Sequence, residues 1–222
     1  CFSLSKTDYM IVGGVDEADR GCVLGPLCIA LVCGEEKEFK SLGLKDSKLL
    51  TREKREQLYP LILEKFDCSY VKISANELNE LMVKYSLNEI EAMKSGYLLE
   101  ELKVKPKKVI FDSPDTIALN YAKRIKKHTT QKIDLISEHK ADFKYPVVSA
   151  ASIVAKVIRD WEIDKIKEET GYSFSSGYPS DEATIKAVRE MLKTGHGKEY
   201  VRMRWSTVEK ILASENTLMN YF

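Results

Sequence analysis

Two apolar runs, Y-M-I-V-G-G-V at 9–15 and L-C-I-A-L-V-C at 27–33, flank a charged, glycine-containing stretch, V-D-E-A-D-R-G-C-V-L-G-P at 15–26. Short runs rich in β-branched residues read as buried strands, so the stretch between them is a corner joining two core strands. Gly21, Gly25 and Pro26 supply the bend. Neighbouring strand residues point to opposite faces, so Asp16 and Glu17 can share a site only where the strand bends or ends; on this reading they close the first strand. Two acids and an arginine in a tight corner beside a core are costly to bury without partners. Cations, phosphates or proton transfer would call for them.

At 222 residues the chain is one large domain, or a domain with an appendage, and long enough to bury a real core. Its 44% apolar and 31% charged residues are those of an ordinary globular protein. The formal net charge of +1 argues mildly against a nucleic-acid binder, but an acidic metal site would mask basic patches in that sum. K-V-K-P-K-K at 103–108 and K-R-I-K-K-H at 123–128 are such patches, readable also as a solvated helix end and helix face. Five cysteines without a C-x-x-C pair speak against zinc and for small apolar core residues in a reducing compartment. No apolar run approaches the ~18 residues of a membrane span, and no signal-peptide pattern precedes the first strand. These features predict a cytoplasmic protein with no membrane partner.

Further along, Thr51 can cap a helix running to about residue 66, followed by a strand at 68–73; short connections among the first three strands predict an antiparallel meander. Capping boxes S-A-N-E at 74–77 and S-L-N-E at 86–89 announce two helices, the second reaching about residue 103. A strand at 108–111, a helix over about 117–128 and a strand at 133–137 form a strand-helix-strand unit, which predicts parallel pairing of the fourth and fifth strands. E-H-K-A-D at 138–142 reads as a polar loop. A long helix follows over about 147–169, its first half small, apolar and buried. A turn-rich loop at 173–180, a helix at 181–193 and a last helix at about 208–213 complete the chain, with a short tail beyond.

Three strand ends then deliver acids: Asp16 and Glu17 from strand one, Asp112 from strand four, and Asp142 five residues after strand five. Parallel strands present their carboxyl ends along one edge, where such folds place ligands. Clustered carboxylates repel one another unless a cation relieves them, and oxygen donors without His or Cys favour magnesium or manganese. Such a site suits two ions acting on a phosphodiester.

These residues also carry a resemblance. D-E-A-x-R-G-x-x-x-G-P after strand one, L-K-D-S-K-L-L, D-S at the end of strand four, H-K-A-D, Y-P-V-V-S-A-A-S-I-V-A-K and S-G-Y-P-S-D occur in this order. Together they resemble type 2 ribonuclease H (ribonuclease HII) in its archaeal-like single-chain form, over residues 11–205. The resemblance implies an α/β fold: a ribonuclease H-like mixed five-stranded sheet flanked by helices, with a helical C-terminal extension. It divides the chain into a catalytic core at 1–170, a helical part at 171–214 that contributes to substrate binding, and a tail at 215–222. It implies a metal-dependent endonuclease that hydrolyses the RNA strand of RNA/DNA hybrids. Such an enzyme also incises 5′ of ribonucleotides embedded in duplex DNA, leaving 3′-hydroxyl and 5′-phosphate ends, in DNA replication and repair. Asp16, Glu17, Asp112 and Asp142 match the family's metal-binding acids, which hold two Mg2+ or Mn2+ ions during catalysis. Tyr178 matches the tyrosine that senses the 2′-hydroxyl, and Arg20 and Gly21 match the last two positions of a Gly-Arg-Gly turn whose backbone does the same. Lys45, Lys48 and Lys140 are expected phosphate contacts.

The chain departs from that pattern at Asp19, where the family usually has glycine. An aspartate there adds bulk and charge; weakened substrate binding, relaxed junction sensing and a fifth metal ligand are its three readings, and a reduced but nonzero junction preference is expected. Glu215-x-x-Leu218-x-x-Tyr221-Phe222 resembles a sliding-clamp-binding box, with glutamate where glutamine usually stands, so that Leu218, Tyr221 and Phe222 would enter an apolar pocket. The chain is expected to act as a monomer. A DNA nuclease of the same fold and a non-catalytic or partner-dependent hybrid-binding subunit are the alternatives.

Overall fold

A computed structural model describes residues 10–44 and 50–219, the last five of these by backbone alone. The elements run β1 (Ile11–Ala18), β2 (Leu27–Glu35), α1 (Glu36–Ser41), α2 (Arg52–Lys65), β3 (Asp67–Ile73), α3 (Ala75–Leu81), α4 (Leu87–Glu100) and β4 (Lys108–Asp112). They continue with α5 (Ala118–Ile125), β5 (Asp134–Glu138), α6 (Ala141–Lys144), α7 (Pro146–Thr170), α8 (Glu182–Thr194), α9 (Gly197–Tyr200) and α10 (Ser206–Met219). The sheet order is β3-β2-β1-β4-β5. The first three strands are consecutive neighbours, as a meander requires. β4 lies parallel to both β1 and β5, as the strand-helix-strand spacing predicts.

The predicted caps form. Thr51 Oγ1 accepts from Lys54 N at 3.3 Å, Ser74 Oγ from Glu77 N at 3.1 Å and Ser86 Oγ from Glu89 N at 3.3 Å. Each satisfies a helix-start N–H that lacks an intrahelical acceptor. Three differences from the sequence reading affect the site. β1 continues through Asp16 and Glu17 to Ala18, so the acid pair lies inside the strand rather than closing it. The predicted polar loop at 138–142 instead holds the last residue of β5 and the start of a one-turn helix, α6. The last helix does not stop near residue 213; α10 continues to Met219, so the backbone of Glu215 and Leu218 is helical.

By its contacts the chain forms two compact units. One comprises the stretch up to Asp16, Ala30–Tyr70 and Ala92–Val154. Its core includes Val12, Leu31, Phe39, Val109, Phe111 and the small apolar first half of α7, where every residue from Val147 to Val154 is buried. Gly14 makes that packing possible: a Cβ there would lie 2.5 Å from the Val147 carbonyl carbon and 2.6 Å from Val148 N. The helix start therefore rests directly on the β1 backbone, which only glycine permits. The other unit comprises Glu17–Ile29, Val71–Glu91 and the stretch from Ala155 onward. Its core gathers Val23, Leu24, Ile163, Phe174, Val188, Met191, Val201 and Val208. Cys22, Cys28 and Cys33 are buried free thiols and Cys68 is a half-buried one. Burial pushes the Cys28 and Cys68 thiols up to about 12, which leaves them unreactive packing residues.

Candidate active site

In the first unit the acids are placed by strand register. β1 and β4 pair from Val12↔Lys108 to Val15↔Phe111, so Asp16 and Asp112 are the next residues on neighbouring parallel strands. β4 and β5 end with Asp112 opposite Glu138. In-register neighbours on parallel strands project to one face, which gives a row of Asp16, Asp112 and Glu138. It is the face on which α7 begins, because Gly14 two residues earlier abuts Val147. Asp142 joins through the backbone: the N–H of Ala141, its predecessor, donates to Asp112 Oδ1 at 3.1 Å. This bond fixes the start of α6 against the end of β4. Lys140 precedes it with φ 56°, the left-handed conformation that turns the chain sharply from β5 into α6.

Asp16 and Asp142 are buried and Asp112 is half-buried. Glu138, a member of the row that sequence reading treated only as loop, is engaged otherwise. It accepts from Lys144 Nζ at 2.6 Å and from the Tyr145 hydroxyl at 2.7 Å. The Lys144 hydrogen bond holds its carboxyl below the usual carboxylate range. Glu17, half-buried, is the next residue of β1 after Asp16, and regular alternation sets it on the opposite face. Among the described residues, no group of three or more His, Cys, Asp or Glu side chains is gathered closely enough to hold a metal ion as it stands. The donor chemistry nonetheless fits a hard divalent cation: the acids of the row are oxygen ligands, with neither imidazole nor thiolate among them.

In the second unit the corner at 19–25 is held from several sides. Asp19 lies at φ 70°, a left-handed conformation that favours glycine. Its side chain is buried. Oδ1 accepts from the Tyr178 hydroxyl at 3.1 Å, and Oδ2 is paired with Arg159 Nε at 2.5 Å. Burial pushes the Asp19 carboxyl above the usual range, against the pull of Arg159. Its carbonyl accepts from Cys22 N at 3.2 Å and from Arg202 Nη1 at 2.7 Å. Arg202, fully buried, also donates from Nε to Gly25 O at 2.8 Å and lies 4.9 Å over the Trp205 ring. The loop at 176–178 closes against the corner through Val23 N to Gly177 O, 2.9 Å. A Cβ on Gly21 would stand 3.3 Å from Tyr178 Cε1, so the tyrosine ring lies over that glycine.

The chain matches the family model described as Ribonuclease HII over residues 13–208. The ribonuclease HII of Nanoarchaeum equitans is 44% identical over 196 residues, covering 88% of this chain and 94% of that protein. That of Pyrococcus abyssi is 44% identical over 214 residues, with 91% of each covered. The chain belongs to the ribonuclease HII family. Solved structures agree: ribonuclease H2 from Pyrococcus horikoshii superposes with a TM-score of 0.82 at 41% identity, covering 91% of this chain and 97% of that one. RNase HII of Archaeoglobus fulgidus, solved in complex with PCNA, superposes at 0.80 and 39% identity, covering 89% and 96%. An RNase HIII solved with Mn2+ shares the fold at 19% identity, with a TM-score of 0.79 and 94% and 71% covered.

Within this ribonuclease HII framework the predicted residues fare differently. Asp16 and Asp112 belong to one unit and one face of its strands, and Asp142 follows the residue whose N–H is bonded to Asp112, while Glu17 is their neighbour along β1. Gly21 and Tyr178 are in contact. The Arg20 guanidinium is turned inward, with Nη1 paired to buried Glu91 and Nη2 bonded to Asn88 Oδ1 at 2.5 Å. The Asp19 carboxylate is engaged within the corner, by the Tyr178 hydroxyl at Oδ1 and by the Arg159 ion pair at Oδ2. Lys140 is exposed; Lys45, Lys48, Tyr221 and Phe222 lie outside the described residues, and of Leu218 only the backbone is described. Sequence reading missed Arg159, Arg202 and Glu91. Their one signal was a charge standing among apolar neighbours, as in K-V-I-R-D-W and Y-V-R-M-R-W.

Proposed function

We propose that this ribonuclease HII hydrolyses the RNA strand of RNA/DNA hybrids and incises 5′ of ribonucleotides embedded in duplex DNA, leaving 3′-hydroxyl and 5′-phosphate ends. The observation that carries this is the row of Asp16 and Asp112 on parallel β1 and β4, with Asp142 anchored to Asp112 through the Ala141 N–H. Asp16, Asp112 and Asp142 would hold divalent cations, Mg2+ or Mn2+; Glu17, which regular alternation sets on the opposite face, would contribute only through a twist at the end of β1. When bound, such ions would supply activation of the attacking water and stabilisation of charge on the departing 3′ oxygen. The chain's own residues do the rest. Asp112 orders the β4 terminus and α6 together, so that the acids are preorganised rather than carried on free loops. The backbone of the 19–21 turn and Tyr178 read the sugar, and Lys140, with Lys45 and Lys48, meets phosphates. Such an enzyme works inside the cell, on DNA, as a monomer.

Digestion of a duplex carrying one ribonucleotide, with end analysis, tests the proposal. Magnesium-dependent incision 5′ of the ribonucleotide is expected, and Asp112→Asn should abolish it. Cleavage confined to all-DNA substrates would select the DNA-nuclease reading instead, and activity only with added subunits the partner-dependent one. By analogy with the PCNA complex of the Archaeoglobus relative, we assign a sliding clamp as partner through Leu218, Tyr221 and Phe222. Deleting residues 218–222 should abolish clamp pull-down and spare nuclease activity; unchanged pull-down rejects this partner.

A further inference from the structure

The proton of the Tyr178 hydroxyl is already committed. A phenol carries a single O–H, and here it donates to Asp19 Oδ1 at 3.1 Å. Burial and the Asp19 charge push the Tyr178 phenol well above its ordinary value, so it keeps that proton at any physiological pH. The acceptor is itself fixed. Asp19 is anchored by Arg159 at its other oxygen and by Arg202 at its carbonyl, in a left-handed turn one residue before Arg20. The Tyr178 ring is seated over Gly21 and remains about one-third exposed, at 36%. Toward anything that approaches from solvent, the oxygen can therefore offer only lone pairs.

Resting on the proposed function, we infer that Asp19 is a specificity-determining positioning residue: by accepting the Tyr178 hydrogen bond, it makes Tyr178 an obligate acceptor that selects a sugar carrying a hydrogen-bond donor. A ribose 2′-hydroxyl donates and accepts. A 2′-fluoro group at most accepts, so it meets a lone pair with a lone pair. With glycine at position 19, the tyrosine hydroxyl is free to rotate and can donate to either group. Asp19 therefore sharpens discrimination between hydroxyl and fluorine rather than merely disturbing the turn.

The test compares kcat/KM on two duplexes that differ only in a 2′-hydroxyl or 2′-fluoro group at the single modified nucleotide. Asp19→Gly should lower the hydroxyl-to-fluoro ratio by about tenfold, the scale of one hydrogen bond. Asp19→Asn, whose side-chain carbonyl still accepts from Tyr178, should keep the parent ratio. In a Tyr178→Phe background, Asp19→Gly should no longer change the ratio. Should Asp19→Gly fail to fold, Asp19→Ala, which likewise removes the acceptor of the Tyr178 bond, takes its place in the same comparison. An unchanged ratio in Asp19→Gly, an Asp19→Asn that behaves like Asp19→Gly, or a shift that persists without the tyrosine hydroxyl each overturns the inference. If the unsubstituted chain cuts neither duplex, the proposed function itself falls and the inference with it.

Discussion

Replacing Arg159 with methionine tests the idea that the corner is held by a buried charge pair. Arg159 Nε lies 2.5 Å from Asp19 Oδ2, with side-chain exposures of 16% and 2%. A pair of unit charges about 4 Å apart interacts by about 4 kcal/mol at an effective dielectric constant near 20. Removing one partner of a buried pair generally costs about 3–5 kcal/mol, because the other charge stays behind uncompensated. Arg202 and the Tyr178 hydroxyl still face Asp19 and blunt that cost, so the low end, about 3 kcal/mol, is expected for Arg159→Met. For a chain of this size that corresponds to a melting point lower by roughly 6–12 °C. Asp19→Gly alone loses the pair and the tyrosine bond but relieves a left-handed strain of about 1 kcal/mol. It leaves Arg159 with Asp160, 3.1 Å away, so about 1–2 kcal/mol of loss is expected. The double variant removes both charges and should fall within about 1 kcal/mol of the parent, well short of the sum of the singles. Urea titration and thermal melts of the four proteins give the cycle. If Arg159→Met costs less than about 1 kcal/mol, or the two losses simply add, the corner is not organised by this pair.

Gly14→Ala drives a Cβ into the Val147 backbone, which cannot yield as a side-chain tip would, and should cost about 1–3 kcal/mol or more; an unchanged melting point would show that the helix start can shift freely. Asp112→Asn should lower cleavage on the order of 10²-fold or more, yet melt like the parent, because asparagine can still accept the Ala141 N–H; a large loss of stability would make Asp112 a structural residue. Saturating magnesium, at about 100 times its Kd, should stabilise the parent by about 2.7 kcal/mol and Asp112→Asn by much less, which reads metal binding without activity; equal shifts would place the cation elsewhere. Asp181 caps α8, accepting from Ala183 N at 3.2 Å and Thr184 Oγ1 at 2.6 Å, and its hydrogen bonds with Ser175 and Thr184 hold its carboxyl well below the usual range. Asp181→Ala should cost about 1 kcal/mol at neutral pH. A depressed folded-state pKa means this contribution is present above the unfolded value of 3.8 and fades as pH falls below it, so the gap between variant and parent should narrow there; a gap constant from pH 7 to pH 3 would refute the charge's role.

What was legible in the chain, and what was not, follows from which forces leave a local trace. Apolar runs and capping boxes do, so the strands and the starts of α2, α3 and α4 could be placed from residues alone. The end of β1 was misplaced because apolarity stops at Val15 while backbone pairing does not depend on it. One- and two-turn helices such as α1, α6 and α9 are too short to show a helical period, and the polar residues 214–217 read as tail although nothing in them forbids a helix. Buried charge leaves only a faint local trace, a charged residue set among apolar neighbours. Arg159, Arg202 and Glu91 look in sequence like surface residues, because what makes them buried is a partner 71 to 183 positions away. Asp19 joins the two cases. Its departure from the family pattern was visible, and a left-handed backbone at φ 70° gives the physical reason for the usual glycine. Aspartate is among the few other residues that tolerate that conformation, because its short polar side chain can bond locally. Here the carboxylate reaches instead to Tyr178, 159 positions on, and to Arg159. A residue that looked like a defect in the turn is therefore also an acceptor beside Tyr178, for which we propose the reading of the sugar, and only the fold could reveal it.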